Sequence, residues 1–356
     1  MAFPADAIDV VDLRALADGG LVREDLYKKV FMLHNMADTP FLNLVQSDQC
    51  NSDKTEWTFD DVRAASTSNA AVAGSNPSSF KAATGTRVSN RAQIFRGAIA
   101  VSSTARASAL AGNMDQLMYE TDKELKGLRE DLEATALTAQ ATVVGDNNTT
   151  AQKTGGFSAW LATNDSFGTG GASGGYNTST HVVDAPTRGV GRALSWALVT
   201  AQLLATYNKR ANTRYLMTSP DLISGITTAF TAGTIKGAVP TATMPASEGV
   251  KQIGNGYFGG FITGLGQLVM FIPNRTQPTY TGGGTSSNVA TCVDVFLIDP
   301  DFVAVSMHEG WNVVDLGKTS ALNDQRDIAG SAMVQPYRED AHAVIRDIKP
   351  TTAVTA

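Results

Sequence analysis

Layered helix and sheet, of α/β or α+β type, is the fold class this sequence predicts, and three observations carry the prediction. Met114 to about Gln140 holds a long amphipathic helical pattern, the stretch from Ala193 to Thr218 alternates helix-like and strand-like segments, and the C-terminal third is strand-like nearly throughout. The chain has 356 residues and 37.4 kDa, which suits one large domain or two ordinary ones with a sizeable core. Its 33 glycines and frequent Ala, Ser and Thr imply many turns. Mean hydropathy is -0.08, and no apolar run approaches the roughly twenty residues of a membrane span, so a soluble protein with no membrane partner is expected.

Lys and Arg number 28 against 34 Asp and Glu, for a net charge of -6, and the basic residues are scattered. Such a pattern disfavours tight, sequence-specific DNA binding. Cys50 and Cys292 lie far apart and form no CxxC, so two buried thiols are expected rather than a disulfide framework or a zinc site. Met1 to Val10 lacks the basic and apolar regions of a secretory signal, which leads us to expect folding in a reducing cytoplasm.

Taken in order, the first fifty residues read as an arm, with one short amphipathic helix over Glu24 to Met36 on which Leu26, Val30 and Leu33 recur at helical spacing. Thr39-Pro40-Phe41-Leu42-Asn43 ends that helix and turns the chain outward, because proline disfavours helical geometry at the residue before it. Thr55-Glu56-Trp57-Thr58-Phe59 then alternates like a strand, and Gln93-Ile94-Phe95 through Ile99-Ala100-Val101 resumes the strand pattern. Between them, Ala64 to Asn90 is nearly devoid of large apolar side chains. The segment reads as a two-stranded ribbon with arms of about twenty residues, roughly 65 Å long. A compact domain of this size has a radius of gyration of only about 20 Å, so such a ribbon needs support from outside its own subunit. An arm lying on a neighbouring subunit and a disordered surface loop both remain open.

The long helix shows Met114, Met118, Thr121, Leu125, Leu128, Leu132 and Thr135 at alternating steps of four and three, with Asn113 as N-cap, Asp115 favouring the positive end and Gly145-Asp146-Asn147-Asn148 as terminator. Polar Thr121 and Thr135 and the flexible Gly127 make a poor zipper, so one stripe packed on a sheet is expected over a coiled coil. Lys123, Glu124, Lys126, Arg129, Glu130 and Glu133 are assigned to the solvent face. A glycine-rich loop from Gly168 to Gly175 marks a subdomain boundary. Ala193 to Tyr207 follows as a helix with a stripe of Leu194, Ala197, Leu198, Ala201 and Leu204, then a strand from Arg214 to Thr218 and a helix opened by Ser219-Pro220. The remaining strands are placed at Val250 to Ile253, Phe258 to Thr263, Leu268 to Ile272, Val293 to Ile298, Phe302 to Met307 and Met333 to Tyr337.

Catalytic patterns occur and each lacks its context. Gly171-Ala172-Ser173-Gly174-Gly175 matches GxSxG, but a nucleophile elbow needs a strand before it and a helix after it, and this one lies within a glycine-rich loop. Gly254-Asn255-Gly256-Tyr257-Phe258-Gly259 matches GxGxxG yet leads into a strand, so a hairpin turn is expected. Leu316-Gly317-Lys318-Thr319 has Asn312 where a phosphate loop needs its first glycine. His34, His181, His308 and His342 are isolated, and Asp299-Pro300-Asp301 reads as a turn. With no cofactor or metal pattern and no catalytic one in context, weight shifts from an enzyme to a protein whose function is contact.

The order of parts resembles the tailed-bacteriophage major capsid proteins of the Hong Kong 97 fold type. The residues that carry the resemblance are Thr39 to Asn43 before the extended loop, Glu124, Leu128, Asp131, Leu132 and Glu133 in the long helix, Gly155-Gly156-Phe157-Ser158-Ala159-Trp160-Leu161, Phe271-Ile272-Pro273-Asn274-Arg275, Ile298-Asp299-Pro300-Asp301-Phe302 and Leu316-Gly317-Lys318-Thr319. The resemblance covers about residues 24 to 348 and implies an α+β fold with an N-arm (1–50), an extended β-hairpin loop (51–101), a peripheral domain (102–184 and 296–356) built on a spine helix (114–140), and an axial domain (185–295). The stretch 168–175 departs from the family as extra material, and no long charged N-terminal helix stands ready as a fused scaffold.

The expected function is self-assembly through pentamers and hexamers into an icosahedral phage head around double-stranded DNA, contacted non-specifically as cargo. A separate scaffolding protein, a portal and decoration proteins are the expected partners, the virion the destination, and the host bacterial cytoplasm the place of assembly. Phe41, Trp57, Phe59, Arg87, Ile94 and Phe95 are the candidate inter-subunit contacts, Trp57 and Phe59 as aromatic anchors, although burial in their own subunit is an open alternative. Met118, Leu125, Leu128 and Leu132 form the spine stripe. Lys81 lies where some related shells crosslink, without an identified partner. Two other readings stay open: an encapsulin-like compartment of the same fold, and a serine hydrolase using Ser173.

Overall fold

The computed structural model describes residues 39–76, 85–107, 115–146, 148–231, 252–253, 257–258, 260–281, 291–317 and 323–355. The expected helix at 24–36, the expected cap Asn113, Met114, His34 and Lys81 lie outside these residues. The described chain begins with helix α1 (Pro40–Leu44) and strands β1 (Gln46–Gln49), β2 (Lys54–Phe59), β3 (Thr86–Arg91) and β4 (Gln93–Ser102). A short helix α2 (Ser103–Ala107) precedes the long α3 (Gln116–Leu137), and α4 (Phe157–Trp160), β5 (Asp165–Ser166), β6 (Gly175–Asn177) and β7 (Val182–Asp184) come after it. Helix α5 (Trp196–Asn208), β8 (Tyr215–Thr218) and α6 (Pro220–Thr231) then lead to β9 (Gln252–Ile253), β10 (Tyr257–Phe258), β11 (Gly260–Ile262) and β12 (Leu268–Pro273). The chain finishes with β13 (Tyr280–Thr281), β14 (Thr291–Ile298), β15 (Val303–Leu316), β16 (Asn323–Pro336) and β17 (Ala343–Ile348).

Two sheets organise these elements. One has four strands in the order β1-β15-β16-β4, and the other runs β11-β12-β8-β14-β17-β5 with β13 paired to β14. Strand β14 explains why the sequence there is continuously apolar: it lies in the middle of the larger sheet and is buried on both faces. Because successive side chains point to opposite faces, Val293, Val295 and Leu297 join a core with α5 and α6, whereas Phe296 and Ile298 join the core that α3 closes. The larger sheet takes strands from both sides of position 296, since β8 and β17 flank β14.

Helix α3 is shorter than expected at both ends. Asp115 is itself the N-cap, its carboxylate accepting from Leu117 N at 3.1 Å. Leu128 and Leu132 are buried and Leu125 half-buried, but Met118 is 58% exposed and Leu117 takes its place on the buried face. Arg326 of β16 sits beside Met118, with Nη1 at 3.3 Å from Met118 Sδ and 3.2 Å from Thr121 Oγ1, so the Met118 side of the first turn meets a guanidinium while Leu117 is buried. On α5 the expected stripe is rotated as well. The helix starts at Trp196, whose ring meets Phe261 edge-on at 4.8 Å, and it buries Val199, Leu203 and Thr206 while Leu204 is exposed. Both stripes fit helical spacing, and the Trp196 anchor decides between them.

The long ribbon is not formed as expected. β2 pairs with β3, from Lys54 opposite Arg91 to Phe59 opposite Thr86, a ladder of six residues or roughly 20 Å. β4 instead pairs along its whole length with β16. Nor does Pro40 only end a helix and turn the chain outward. It occupies the first turn of α1, where its missing N–H costs nothing, and the chain turns inward to bury Phe41. β15 and β16 run fourteen residues each, well beyond the expected Phe302 to Met307 and Met333 to Tyr337. Asp299-Pro300-Asp301 does form a turn, capped by the Asp299 carboxylate, and Cys50 and Cys292 are both buried outside any disulfide. β9 and β10 pair antiparallel around 254–256, as the hairpin reading of the GxGxxG match requires. Among the described residues no helix is long and apolar enough to cross a membrane.

Candidate assembly surfaces

Residues 60–76 leave the end of β2 with every side chain exposed, and Val62 and Val72 are 76% and 80% open to solvent. The root of this projection is held by three separate devices. Trp57 packs on Trp160 at 5.4 Å, and Trp160 stacks on Tyr176 at 5.5 Å with the two planes within 4°. Arg338 donates from Nη1 to Asp60 O at 3.0 Å and from Nη2 to Asp61 Oδ1 at 2.5 Å, while its other donors grip Asp340 and its guanidinium covers the Phe59 ring. Asn90, buried in β3, donates from Nδ2 to Val334 O at 2.6 Å and to Gly155 O at 3.1 Å, and its Oδ1 accepts from Gly155 N at 2.9 Å. A carboxamide that both donates and accepts ties three chain segments at once. Only a polar residue inside an otherwise ordinary strand marked Asn90 in the sequence.

These contacts correct several candidate inter-subunit residues. Phe41 is fully buried against Phe157 at 5.3 Å, and Phe95 is buried against Trp311 at 6.4 Å, so both belong to their own subunit's core. Trp57 and Phe59 are half-buried partners of Trp160, Val88 and Val183, and they hold the root of the projection rather than its surface. Arg87 is exposed and ion-paired with Glu56 across the β2–β3 ladder. Ile94 is 70% exposed, and Arg96, the next residue but one along β4, pairs with Asp327 at 2.6 Å. Of the six, Ile94 and Arg87 face outward.

Glu133, assigned to the solvent face of α3, is fully buried. Its Oε1 accepts from Phe41 N and Asn274 Nδ2, and its Oε2 from Leu42 N, all at 2.8 Å. Burial pushes the carboxyl up to about 7, against the pull of those donors and of Arg129. The sequence error has a physical cause: Glu133 follows a core leucine on a charged helix, and its partners lie ninety-two positions before it and 141 after it.

A second buried polar group sits at the centre of the larger sheet. Asp294 of β14 receives Arg188 at 2.6 Å and Ser158 Oγ at 3.0 Å, and Arg346 of β17 donates to Ser158 Oγ, Ser158 O and Leu161 O at 2.5, 2.6 and 2.8 Å. Asp347, in the left-handed region at φ 62, accepts from Gly168 N and Gly189 N at 3.0 Å each. The glycine-rich stretch is thereby pinned to the sheet, and glycine is required at 168 because a Cβ there would collide with the Val190 carbonyl. Ser173 donates to Asp165 Oδ1 at 3.2 Å, while His181 hydrogen-bonds Tyr176 and not Ser173. That geometry does not build an activated nucleophile. His342 is buried, with Nδ1 accepting from Asp299 N at 3.2 Å and Nε2 at 3.3 Å from Phe302 O, and burial pushes its imidazole down to about 4. His308 meets the Cys50 carbonyl at 3.3 Å. Among the described residues, no group of three or more His, Cys, Asp and Glu is placed to hold a metal ion.

Among the described residues the exposed feature is the projection at 60–76, held at its root by side chains of its own chain. The major capsid protein of Escherichia phage Phieco32 is 32% identical over 138 residues, which are 34% of this chain and 39% of that protein, so the match spans well under half of the relative. Among solved structures, the SrpI encapsulin of Synechococcus elongatus PCC 7942 superposes with a TM-score of 0.56 at 11% identity, over 98% of this chain and 99% of the other. The capsid chain of cyanophage P-SCSP1u gives 0.52 at 10% identity over 94% of each chain, and a chain of Microbacterium phage Oxtober96 gives 0.53 at 13% identity over 95% of this chain and 99% of the other. At such identities the superpositions show the fold, which is α+β of the Hong Kong 97 type shared by phage capsids and encapsulins. The family model described as the SU10 major capsid protein matches residues 10–349, and with nearly its whole length inside that match the chain belongs to the SU10 major capsid protein family.

Proposed function

We propose that the chain is the structural subunit of an icosahedral phage head, assembling with copies of itself as pentamers and hexamers around double-stranded DNA. The observation that carries the reading is the projection at 60–76, in which every side chain is exposed and whose root at Asp60 and Asp61 is held by Arg338. A subunit of this kind is completed by its neighbours, and permanent assemblies of this type bury more than about 2,000 Å² per interface. In this reading residues 1–50 act as the N-arm, 51–91 as the extended loop, 102–184 with 296–356 as the peripheral domain, which β4 joins through its pairing with β16, and 185–295 as the axial domain. Ile94 and Arg87 are the contacts offered to the neighbouring subunit. The net charge of -6 suits loose containment of DNA better than phosphate neutralisation. A separate scaffolding protein, a portal and decoration proteins complete the head, which is assembled in the host bacterial cytoplasm, and the chain's role is contact rather than catalysis.

The encapsulin fold is equally compatible with the backbone, but the family match over residues 10–349 favours a phage head. Limited proteolysis tests the reading. Arg63 lies exposed in the projection, so trypsin cuts there rapidly in dissociated subunits and slowly after assembly. Equal cutting in both states refutes the neighbour-supported loop.

A further inference from the structure

Helix α1 is capped from outside itself. Thr39 is a residue type that ordinarily caps its own helix, yet it makes no capping bond, because Arg129 Nε of α3 donates to its Oγ1 at 3.2 Å. The first-turn N–H groups of Phe41 and Leu42 donate instead to the two carboxylate oxygens of Glu133, one turn further along α3. Arg129 reaches the other side of α1 as well, with Nη2 at 2.7 Å from Asn43 Oδ1. Asn274, just beyond β12, completes the set by donating to Glu133 Oε1, and Phe41 plugs the core beneath. A buried carboxylate is costly unless its oxygens are fully engaged. Here every partner belongs to α1 or to the strand end beside it, so the charge is committed to holding one five-residue helix in place.

We propose that Glu133, with Arg129 and Asn274, is a clasp that fixes the seat of α1 on α3, and that the seat of α1 sets the curvature at which subunits meet. The curvature half rests on the shell-subunit reading above. A helix anchored by directional hydrogen bonds keeps one orientation, whereas a helix held only by Phe41 would pivot. The clasp is made largely by side chains of α3, so any shift of that helix carries α1 with it.

Two readouts on the full-length chain test this, for the parent, Glu133→Gln and Asn274→Ala: hydrogen exchange on dissociated subunits, and negative-stain microscopy after assembly. In Glu133→Gln one oxygen becomes a donor facing an N–H, so the Phe41 and Leu42 amides exchange at least about tenfold faster, the factor for one charge-assisted hydrogen bond. Protection within α3 stays at the parental level, and the particles vary in diameter or fail to close. Asn274→Ala, which keeps both backbone bonds, shows the same two changes to a smaller degree, and it decides the question if Glu133→Gln does not fold. Parental protection at Phe41 and Leu42 overturns the clasp, and lost protection with parental, uniform shells overturns its role in curvature. A parent that forms no shells overturns the shell reading and the curvature claim with it, while the exchange result still decides whether the clasp exists.

Discussion

His342 and Glu133 make the acid response of the subunit predictable in sign and size. His342 must be neutral with its proton on Nε2, because Nδ1 accepts from Asp299 N, and a second proton would set N–H against N–H in a fully buried site. Its ordinary value is 6.5 and burial holds it at about 4 in the folded chain. Above pH 6.5 both states are neutral and the full stability is present. As the pH falls towards 4 the unfolded chain takes up a proton that the folded chain refuses, and stability drops by about 1.4 kcal/mol per unit, or about 3 kcal/mol in all. Glu133 acts in the opposite direction: its folded value of about 7 exceeds the ordinary 4.5, so stability rises by about 3 kcal/mol as the pH falls from 7 to 4.5. The two slopes nearly cancel in the parent. Urea unfolding of dissociated subunits between pH 7 and 4.5 reads them separately once one group is removed. His342→Asn lacks the loss and gains on the parent by about 3 kcal/mol across this range, because any cavity cost is independent of pH and drops out of the comparison. A difference from the parent that does not change with pH refutes the buried neutral imidazole.

Three further perturbations follow from the same contacts. Arg346→Met leaves Asp165 without its cation and Ser158 without its donor inside the larger sheet, at a cost of about 3–5 kcal/mol that lowers the thermal midpoint of the subunit. An alanine at Gly156 meets the Thr138 carbonyl in the backbone and prevents the native packing, whereas one at Gly97 meets only the movable end of Glu124, so soluble yield falls for Gly156→Ala and not for Gly97→Ala. Trp57→Ala removes the ring from Trp160, so exchange quickens in β2 and β3 while α3 keeps its protection; unchanged exchange in the hairpin contradicts its anchoring role.

The parts that were legible in the sequence are those whose partners lie on the same element. Leu125, Leu128 and Leu132 recur at helical spacing, and Val293 to Ile298 is continuously apolar because both faces of β14 are covered, so α3 and the central strand stood out. What was hidden depends on distant partners. Glu133 looks like one more surface charge until α1 and Asn274 are brought to it, and Ala343 to Ile348 hides a fully buried strand because Arg346 and Asp347 interrupt its apolar run. The anchoring aromatics were recognised as important but misassigned: Trp57 has its partner in Trp160 of the same chain, a pairing across more than a hundred residues that no local pattern announces. The projection was visible as a stretch poor in large apolar groups, while the point where pairing stops, at Phe59 opposite Thr86, was not.

The central claim is that the subunit is completed by copies of itself, and electron microscopy of the purified full-length chain tests it most directly. Raised protein concentration and varied ionic strength should yield closed particles whose surface divides into five-fold and six-fold clusters, with the 60–76 projection of each subunit lying on another. A monodisperse single subunit under every condition, its projection still open to trypsin, contradicts the claim.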